Sequence, residues 1–82
     1  MNMVVSAQIS IYPLRQEHLS PAIKAVRTAL EARELQPQVG PMSTVVTGEA
    51  DLVFAALHEA FTQAAVTGHV VMTVTVSNAC PV

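Results

Sequence analysis

The chain has 82 residues, of which 51% are hydrophobic and only 12% are charged, and its formal net charge is −2. This length allows one domain with a single modest core. The lack of a basic cluster argues against nucleic acid or an anionic membrane as a partner, and the frequent polar interruptions of the apolar runs exclude a membrane span. So little charge on so small a domain predicts that part of its surface is buried against another copy.

The amino-terminal residues show no basic segment followed by a continuous apolar run, so no signal peptide is predicted. The single cysteine, Cys80, cannot form an internal disulfide, which fits a reducing compartment. We therefore expect a cytoplasmic protein.

The first half of the chain predicts a strand and then a helix. Residues 4–12 alternate between apolar and polar side chains, which is typical of a strand with one buried face, and Pro13 ends it. Ser20 and Pro21 provide a hydroxyl N-cap and a proline at the first helical position. The helix should stop before Pro37, because the residue ahead of a proline avoids helical geometry. Its predicted buried stripe is Ile23, Val26 and Leu30, with Ala22, Ala25 and Ala29 beside them.

The second half is organised around a strand that meets a helix at Gly48. Residues 43–47 are rich in β-branched side chains and predict a strand, paired as a hairpin with a short edge strand at residues 38–40. Gly48 should permit a sharp turn into a helix over 49–67, and a last alternating strand covers 69–78. The predicted buried stripe of the second helix is Val53, Phe54, Leu57, Phe61 and Ala64.

This order of elements predicts a ferredoxin-like βαββαβ plait of the α+β class, one domain over residues 1–82 with both helices on one face of a four-stranded antiparallel sheet. The other sheet face is polar but uncharged. A solvated face more often carries Lys and Glu, so this one favours burial against a partner or a neutral ligand. The alternative is the ordinary strand propensity of Thr. The residues of this face are Ser6, Gln8, Ser10, Thr73, Thr75 and Ser77.

Three segments resemble the signatures of the bacterial thiamine-binding proteins. They are residues 8–14, which contain Tyr-Pro-Leu; residues 42–54, with Met-Ser-Thr, Gly-Glu and Val-Phe at the matching places; and residues 71–78. The resemblance implies a single-domain member that binds thiamine or its hydroxymethylpyrimidine part without chemistry, as a carrier, sensor or salvage partner. Glu49 departs from the pattern, because many relatives have Asp there.

The residues at these positions suit such a ligand. An aminopyrimidine needs hydrogen-bond donors and acceptors in a flat array with apolar walls, and a thiazolium needs a carboxylate or an aromatic face. Glu49 and Asp51 equally suit a helix start. Tyr12 and Met42 are expected at one end of the sheet and Glu49 and Asn78 at the other, so either one end forms the site or a second subunit completes it. The predicted ligand-binding residues are Gln8, Ser10, Tyr12, Met42, Ser43, Thr44, Thr47, Glu49 and Asn78.

Nothing in the sequence is typical of an enzyme or a metal site. The histidines and Cys80 lack metal-ligand spacing, and three scattered glycines cannot form a phosphate loop. We expect no catalysis and no cofactor, with thiamine or hydroxymethylpyrimidine as ligand. The alternatives are a regulatory module that binds another metabolite between subunits, and a purely structural oligomerisation domain. We expect a homodimer through the polar faces, or a homotetramer extended by the edge strand at 38–40.

Overall fold

The computed structural model describes residues 3–14, 20–40, 43–66 and 68–79. The elements are β1 (Val4–Pro13), α1 (Ser20–Glu31), β2 (Gln38–Val39), β3 (Thr44–Glu49), α2 (Ala50–Ala65) and β4 (Val70–Ser77). The strands form one antiparallel sheet in the order β2-β3-β1-β4. The predicted ferredoxin-like α+β plait is confirmed.

β1 is central, because it pairs with β3 on one side and β4 on the other. Its alternation puts Ile9 under the helices, where 1% of its surface is exposed. Burial of a side chain of this size contributes roughly 1.5–3 kcal/mol. The same alternation sends Gln8 to the other face, opposite Val45 on β3 and Thr75 on β4.

α1 packs on the sheet through the predicted stripe. Val26 and Leu30 are fully buried and Ile23 is half-buried. Arg27 and Glu31, one turn apart, form an ion pair at 3.6 Å on the exposed side of the helix. An exposed pair of this kind adds little to stability, so apolar burial is what holds α1 in place.

α1 ends in a Schellman turn. The N–H of Leu35 donates to the carbonyl of Leu30 at 3.0 Å, and the N–H of Glu34 donates to the carbonyl of Glu31 at 3.0 Å. Glu34 has a φ of 60°, in the left-handed region that glycine usually occupies at this position. The turn folds Leu35 back into the core. The helix therefore ends before Pro37, as predicted.

β3 runs through Gly48 instead of turning there. Gly48 pairs with Val5 within the sheet and does not have a positive φ. A Cβ atom at this position would lie 2.5 Å from Cδ2 of Leu35. The predicted role of Gly48 as a turn is wrong, because close packing of Leu35 against its backbone is what excludes a side chain. The chain changes from strand to helix at Glu49 and Ala50.

α2 is shorter than the predicted 49–67, and its buried face differs from the predicted stripe. Phe54 and Phe61 are 54% and 45% exposed, so their assignment to the core was wrong. At 3.6 residues per turn they lie together on one flank of α2, while small alanines let the helix approach its neighbours. On the opposite flank, Glu59 forms an ion pair with Arg33 at the end of α1. The buried residues of α2 are Val53, Ala56, Leu57, Ala60 and Ala64.

α2, with 16 residues, is the longest helix in the described ranges. None of the helices described there is long and apolar enough to cross a bilayer.

Candidate functional site

The face of the sheet opposite α1 and α2, here called the open face, is built from every second residue of three strands. None of the residues named below is Asp, Glu, Lys, Arg or His; Glu49, which is charged, lies on the same side of the sheet but at its end, as the last residue of β3. Their side chains are mostly small and polar, so they leave room for another molecule to approach the backbone. The members are Ser6, Gln8, Ser10 and Tyr12 of β1, Val45 and Thr47 of β3, and Val71, Thr73, Thr75 and Ser77 of β4.

Gln8 is at the centre of the open face, between Val45 and Thr75. Its Nε2 donates to Oγ of Ser43 at 3.3 Å, a diagonal contact between neighbouring strands. A glutamine amide has a second N–H and two acceptor lone pairs, so this bond leaves capacity for a ligand. Val45, 40% exposed, provides apolar surface directly beside it.

Hydroxyl groups lie on both sides of Gln8 along the sheet. Towards one end, Oγ of Ser6 and Oγ1 of Thr47 are 3.1 Å apart and share a hydrogen bond. Towards the other end, Ser10 is opposite Thr73. These neutral donors and acceptors form a strip along the middle of the open face, here called the central strip. It consists of Ser6, Gln8 and Ser10 of β1 with Thr47 and Thr73 on the neighbouring strands.

The structure brings Gln8, Ser10, Ser43 and Thr47 together on or beside this strip, but it does not bring Thr44 with them. Thr44 is 6% exposed and lies opposite Ile9 on the helix-covered face. Neighbouring residues of a strand point to opposite faces, so Ser43 and Thr44 cannot both contact a ligand on the open face. This corrects the predicted site.

The remaining predicted residues lie at the two ends of the sheet. Tyr12 is at one end, and Glu49, opposite Val4, is at the other with Asn78. Tyr12 and Val4 are eight positions apart along β1, about 26 Å at ~3.3 Å per residue. One small ligand cannot contact both ends of a single subunit. Met42 lies outside the described residues.

The carboxylate of Glu49 is not used to cap α2. Glu49 occupies the N-cap position with an extended backbone, but its side chain makes no capping hydrogen bond. Asp51 is the acidic residue in the first turn of the helix. Alternation along β3 puts Glu49 on the same side of the sheet as Thr47. At this end, Nδ2 of Asn78 also contacts Sδ of Met3 at 3.9 Å.

The two residues opposite Gln8, Val45 on β3 and Thr75 on β4, were not among the predicted site residues. Val45 was missed because the sequence of residues 43–47 does not alternate, so only its pairing with Gln8 places it on the open face. Thr75 was assigned to the face but not to the site, and its position opposite Gln8 adds it.

A single open face can cover only one side of a flat ligand, whereas small-molecule sites bury roughly 70–90% of the ligand. The structure also has a hollow on the other side of the sheet, between α1 and α2. It is lined by Pro21, Lys24, Ala25, Thr28, Ala29, Glu59 and Gln63. Within the part of the chain that the structure describes, no group of three His, Cys, Asp or Glu residues could hold a metal ion. The chemistry available on the open face is hydrogen bonding by neutral groups beside an apolar centre.

The fold and this face together define a ferredoxin-like α+β domain whose sheet has one exposed face with an uncharged centre. The chain belongs to the YKOF-related family, which its sequence matches over residues 4–82.

Solved structures share the fold over most of both chains. A protein from Streptococcus pneumoniae is 28% identical with a TM-score of 0.81, and the match covers 92% of this chain and 86% of that one. A hypothetical protein from Methanocaldococcus jannascii is 25% identical with a TM-score of 0.83, covering 92% and 79%. A protein from Thermotoga maritima, provisionally described as a thiamine biosynthesis/salvage protein, is 18% identical with a TM-score of 0.76, covering 90% and 82%. No curated protein matches the sequence.

Proposed function

We propose that this protein binds thiamine, through its hydroxymethylpyrimidine part, between the open faces of two subunits and without catalysing a reaction. The observation that carries the proposal is the Gln8–Ser43 pair beside the exposed Val45, at the uncharged centre of the open face. The resemblance of three segments to the signatures of the bacterial thiamine-binding proteins supports it. So does the fold shared with the Thermotoga maritima protein, whose provisional description concerns thiamine.

The pyrimidine part of the ligand suits the central strip. An aminopyrimidine is flat and neutral, with an exocyclic donor and ring nitrogen acceptors. The Gln8 amide can donate to a ring nitrogen and accept from the amino group, and hydroxyls such as that of Ser10 can do either. Val45 provides an apolar surface against which the ring lies. Charged side chains here would be costly to desolvate against a neutral ring, and the strip has none.

The positively charged thiazolium requires a second subunit. If two open faces pack about a two-fold axis that runs across the strands, the Tyr12 end of one subunit lies over the Glu49 end of the other. The carboxylate of Glu49 then balances the thiazolium charge, and the ring of Tyr12 in the partner subunit stacks on it. This arrangement brings together the two sets of residues that one chain holds about 26 Å apart.

Titration calorimetry with thiamine and with hydroxymethylpyrimidine tests the proposal. We expect both to bind, with Gln8→Ala weakening both by about 1–3 kcal/mol because a ligand polar atom is left without its partner. Thr44→Val is the matched control, since Thr44 lies on the helix-covered face and its replacement should leave both affinities unchanged. No heat with either compound at millimolar concentration would refute the function.

Glu49→Gln separates the two parts of the ligand. Removal of this carboxylate should weaken thiamine binding but leave hydroxymethylpyrimidine binding unchanged, because only thiamine carries the positive ring. Equal effects on both compounds would show that Glu49 does not face the thiazolium.

The packing of two open faces is tested by Thr75→Lys, which puts a lysine opposite Gln8 at the centre of the open face. An uncompensated charge in a dry interface is strongly destabilising, so light scattering should show a loss of mass. Thr28→Lys, on an exposed position of α1, adds the same charge elsewhere and should leave the mass unchanged. An unchanged mass in Thr75→Lys would rule out this interface.

A further inference from the structure

We propose that the hollow between α1 and α2 is a second binding site, for a small carboxylic acid with a short aliphatic body. The hollow lies on the helix side of the sheet and the open face on the other, so this site does not depend on the ligand proposed above. Its volume is about 350 Å³, at the small end of the range of roughly 300–1,000 Å³ for ligand sites.

The hollow is a groove between two antiparallel helices. α1 follows β1 and α2 follows β3, and because these strands are antiparallel, the helices also run in opposite directions. Residues four positions apart lie one above the other along a helix, and the hollow is lined at this spacing on both sides. They are Pro21, Ala25 and Ala29 on α1, and Glu59 and Gln63 on α2. The alanine side chains are short, so a space remains above them.

The floor of the hollow is apolar and its rim is polar. Ala29 is 2% exposed and Ala25 is half-buried, whereas Lys24 and Gln63 on the two rims are exposed. An aliphatic body that covers the alanines removes apolar surface from water, which is favourable. A polar head at the rim keeps its hydrogen bonds. The hollow therefore suits a ligand with one apolar part and one polar end.

Lys24 provides a positive charge at the rim that the rest of the described chain does not balance. Arg27 pairs with Glu31, and Arg33 pairs with Glu59. Lys24 makes no ion pair with any residue that the structure describes, and the positions one turn before and after it are not acidic. An unbalanced cation beside an apolar floor favours an anion as the polar end of the ligand.

Glu59 also lines the hollow, but its charge is already balanced. The Nη1 group of Arg33 donates to Oε2 of Glu59 and, at 3.4 Å, to the carbonyl of Ala29. Arg33 thus reaches back one turn along α1 and holds Glu59 level with Ala29. The pair closes one end of the hollow, and the positive charge of Lys24 remains at the other end.

A carboxylate fits the end of the hollow at Lys24. Gln63 lies one turn beyond Glu59 on α2, and in antiparallel helices this direction leads towards the start of α1. Gln63 is therefore across the hollow from Lys24. The ammonium of Lys24 can make a charge-assisted hydrogen bond to the carboxylate, and the side-chain amide of Gln63 can donate a second. The aliphatic body then lies on Pro21 and Ala25.

NMR titration of the isotope-labelled protein with isovalerate, acetate and isovaleramide tests this site. Acetate has the carboxylate without the aliphatic body, and isovaleramide has the body without the charge. We expect isovalerate to bind more tightly than either, with shifts of the Gln63 side-chain amide and of the α1 amides around Lys24. Equal affinity for acetate, or for isovaleramide, would overturn the proposal, because one of the two parts of the ligand would then have no role.

Lys24→Gln removes the unbalanced cation and should weaken isovalerate binding about tenfold or more, since a hydrogen bond to a charged group is lost. Lys24→Arg should retain binding. Arg27→Gln is the matched control, because it removes the same charge from the same helix at an exposed position that does not line the hollow. Equal weakening in Lys24→Gln and Arg27→Gln would show a general attraction of anions to α1 and would overturn the site.

Thiamine binding distinguishes this site from the open face. Lys24→Gln should leave the thiamine affinity unchanged, because the altered side chain lies on the other side of the sheet. A change in thiamine affinity equal to the change for isovalerate would overturn the separation of the two sites. An absence of shifts with isovalerate at millimolar concentration would overturn the hollow as a site, whether or not the protein binds thiamine.

Discussion

The two faces of the sheet share one backbone but differ in chemistry. Under the helices, Ile9 and Val46 are each 1% exposed and belong to a close-packed aliphatic core. On the open face, the neighbouring residues Gln8 and Thr47 are exposed, polar and uncharged. Shape and apolar burial hold the first face, whereas the second has neither the apolar area to drive folding nor the charge to favour water. One set of alternate residues thus forms the core, and the other set is left outside it.

β3 departs from this division at its start. Thr44 is the one polar residue among the buried side chains of the described chain, and the adjacent Val45 is exposed at the centre of the open face. The polar and apolar residues are exchanged relative to the rest of the sheet. An exposed valine beside Gln8 costs some apolar burial, and we interpret it as part of a binding surface, since an apolar ring gains from contact with it.

The largest expected effect comes from truncation on the helix-covered face. Ile9→Ala should destabilise the protein by about 2–5 kcal/mol, because it removes buried methylenes and leaves a cavity. Gln8→Ala, one residue away on the open face, should change stability by no more than roughly 0.5 kcal/mol. Urea unfolding at equal protein concentration measures both. Similar losses in the two variants would contradict the division between the faces.

Gly48→Ala probes the closest contact on the helix-covered face. The new Cβ would fall 2.5 Å from Cδ2 of Leu35, so we expect a loss of about 1–3 kcal/mol from overpacking. Thr47→Ala, the neighbouring open-face variant, should cost less. In a Leu35→Ala background the Gly48→Ala penalty should shrink, since the clashing atom is gone, and a double-mutant cycle measures this coupling. Additive losses would mean that Gly48 is required for another reason.

The smallest expected effect is a gain at the turn that delivers Leu35 to the core. Glu34 has a left-handed φ, which costs an L-residue roughly 1–2 kcal/mol and costs glycine almost nothing. Glycine also loses more entropy on folding, so Glu34→Gly should stabilise the protein by less than about 1 kcal/mol. Glu34→Ala retains Cβ and should show no such gain. A lower urea midpoint for Glu34→Gly than for Glu34→Ala would show that the turn is not strained.

Much of this structure follows from local sequence. The alternation of residues 4–12 and 69–78, the Ser-Pro helix start and the order of elements were enough to predict the ferredoxin-like sheet and the uncharged face. They were enough because a strand pattern of period two and a helix pattern of period 3.6 each specify which side chains share a face. The separation of Tyr12 from Glu49 followed from the same order, because β1 and β3 are antiparallel and their last residues lie at opposite ends of the sheet.

Only the tertiary structure decided the positions where local patterns were ambiguous. Residues 43–47 do not alternate, so the register with β1 was needed to put Thr44 inside and Val45 outside. Phe54 and Phe61 fit an apolar helix stripe, but alanines fill the narrow contact between helices and sheet and leave the larger rings outside. Gly48 fits a turn when only the local sequence is considered. A side chain is excluded there because Leu35, thirteen residues away in sequence, packs against its backbone. In each case a contact between distant segments outweighed the local preference, because the volume available at a packed site is set by both partners.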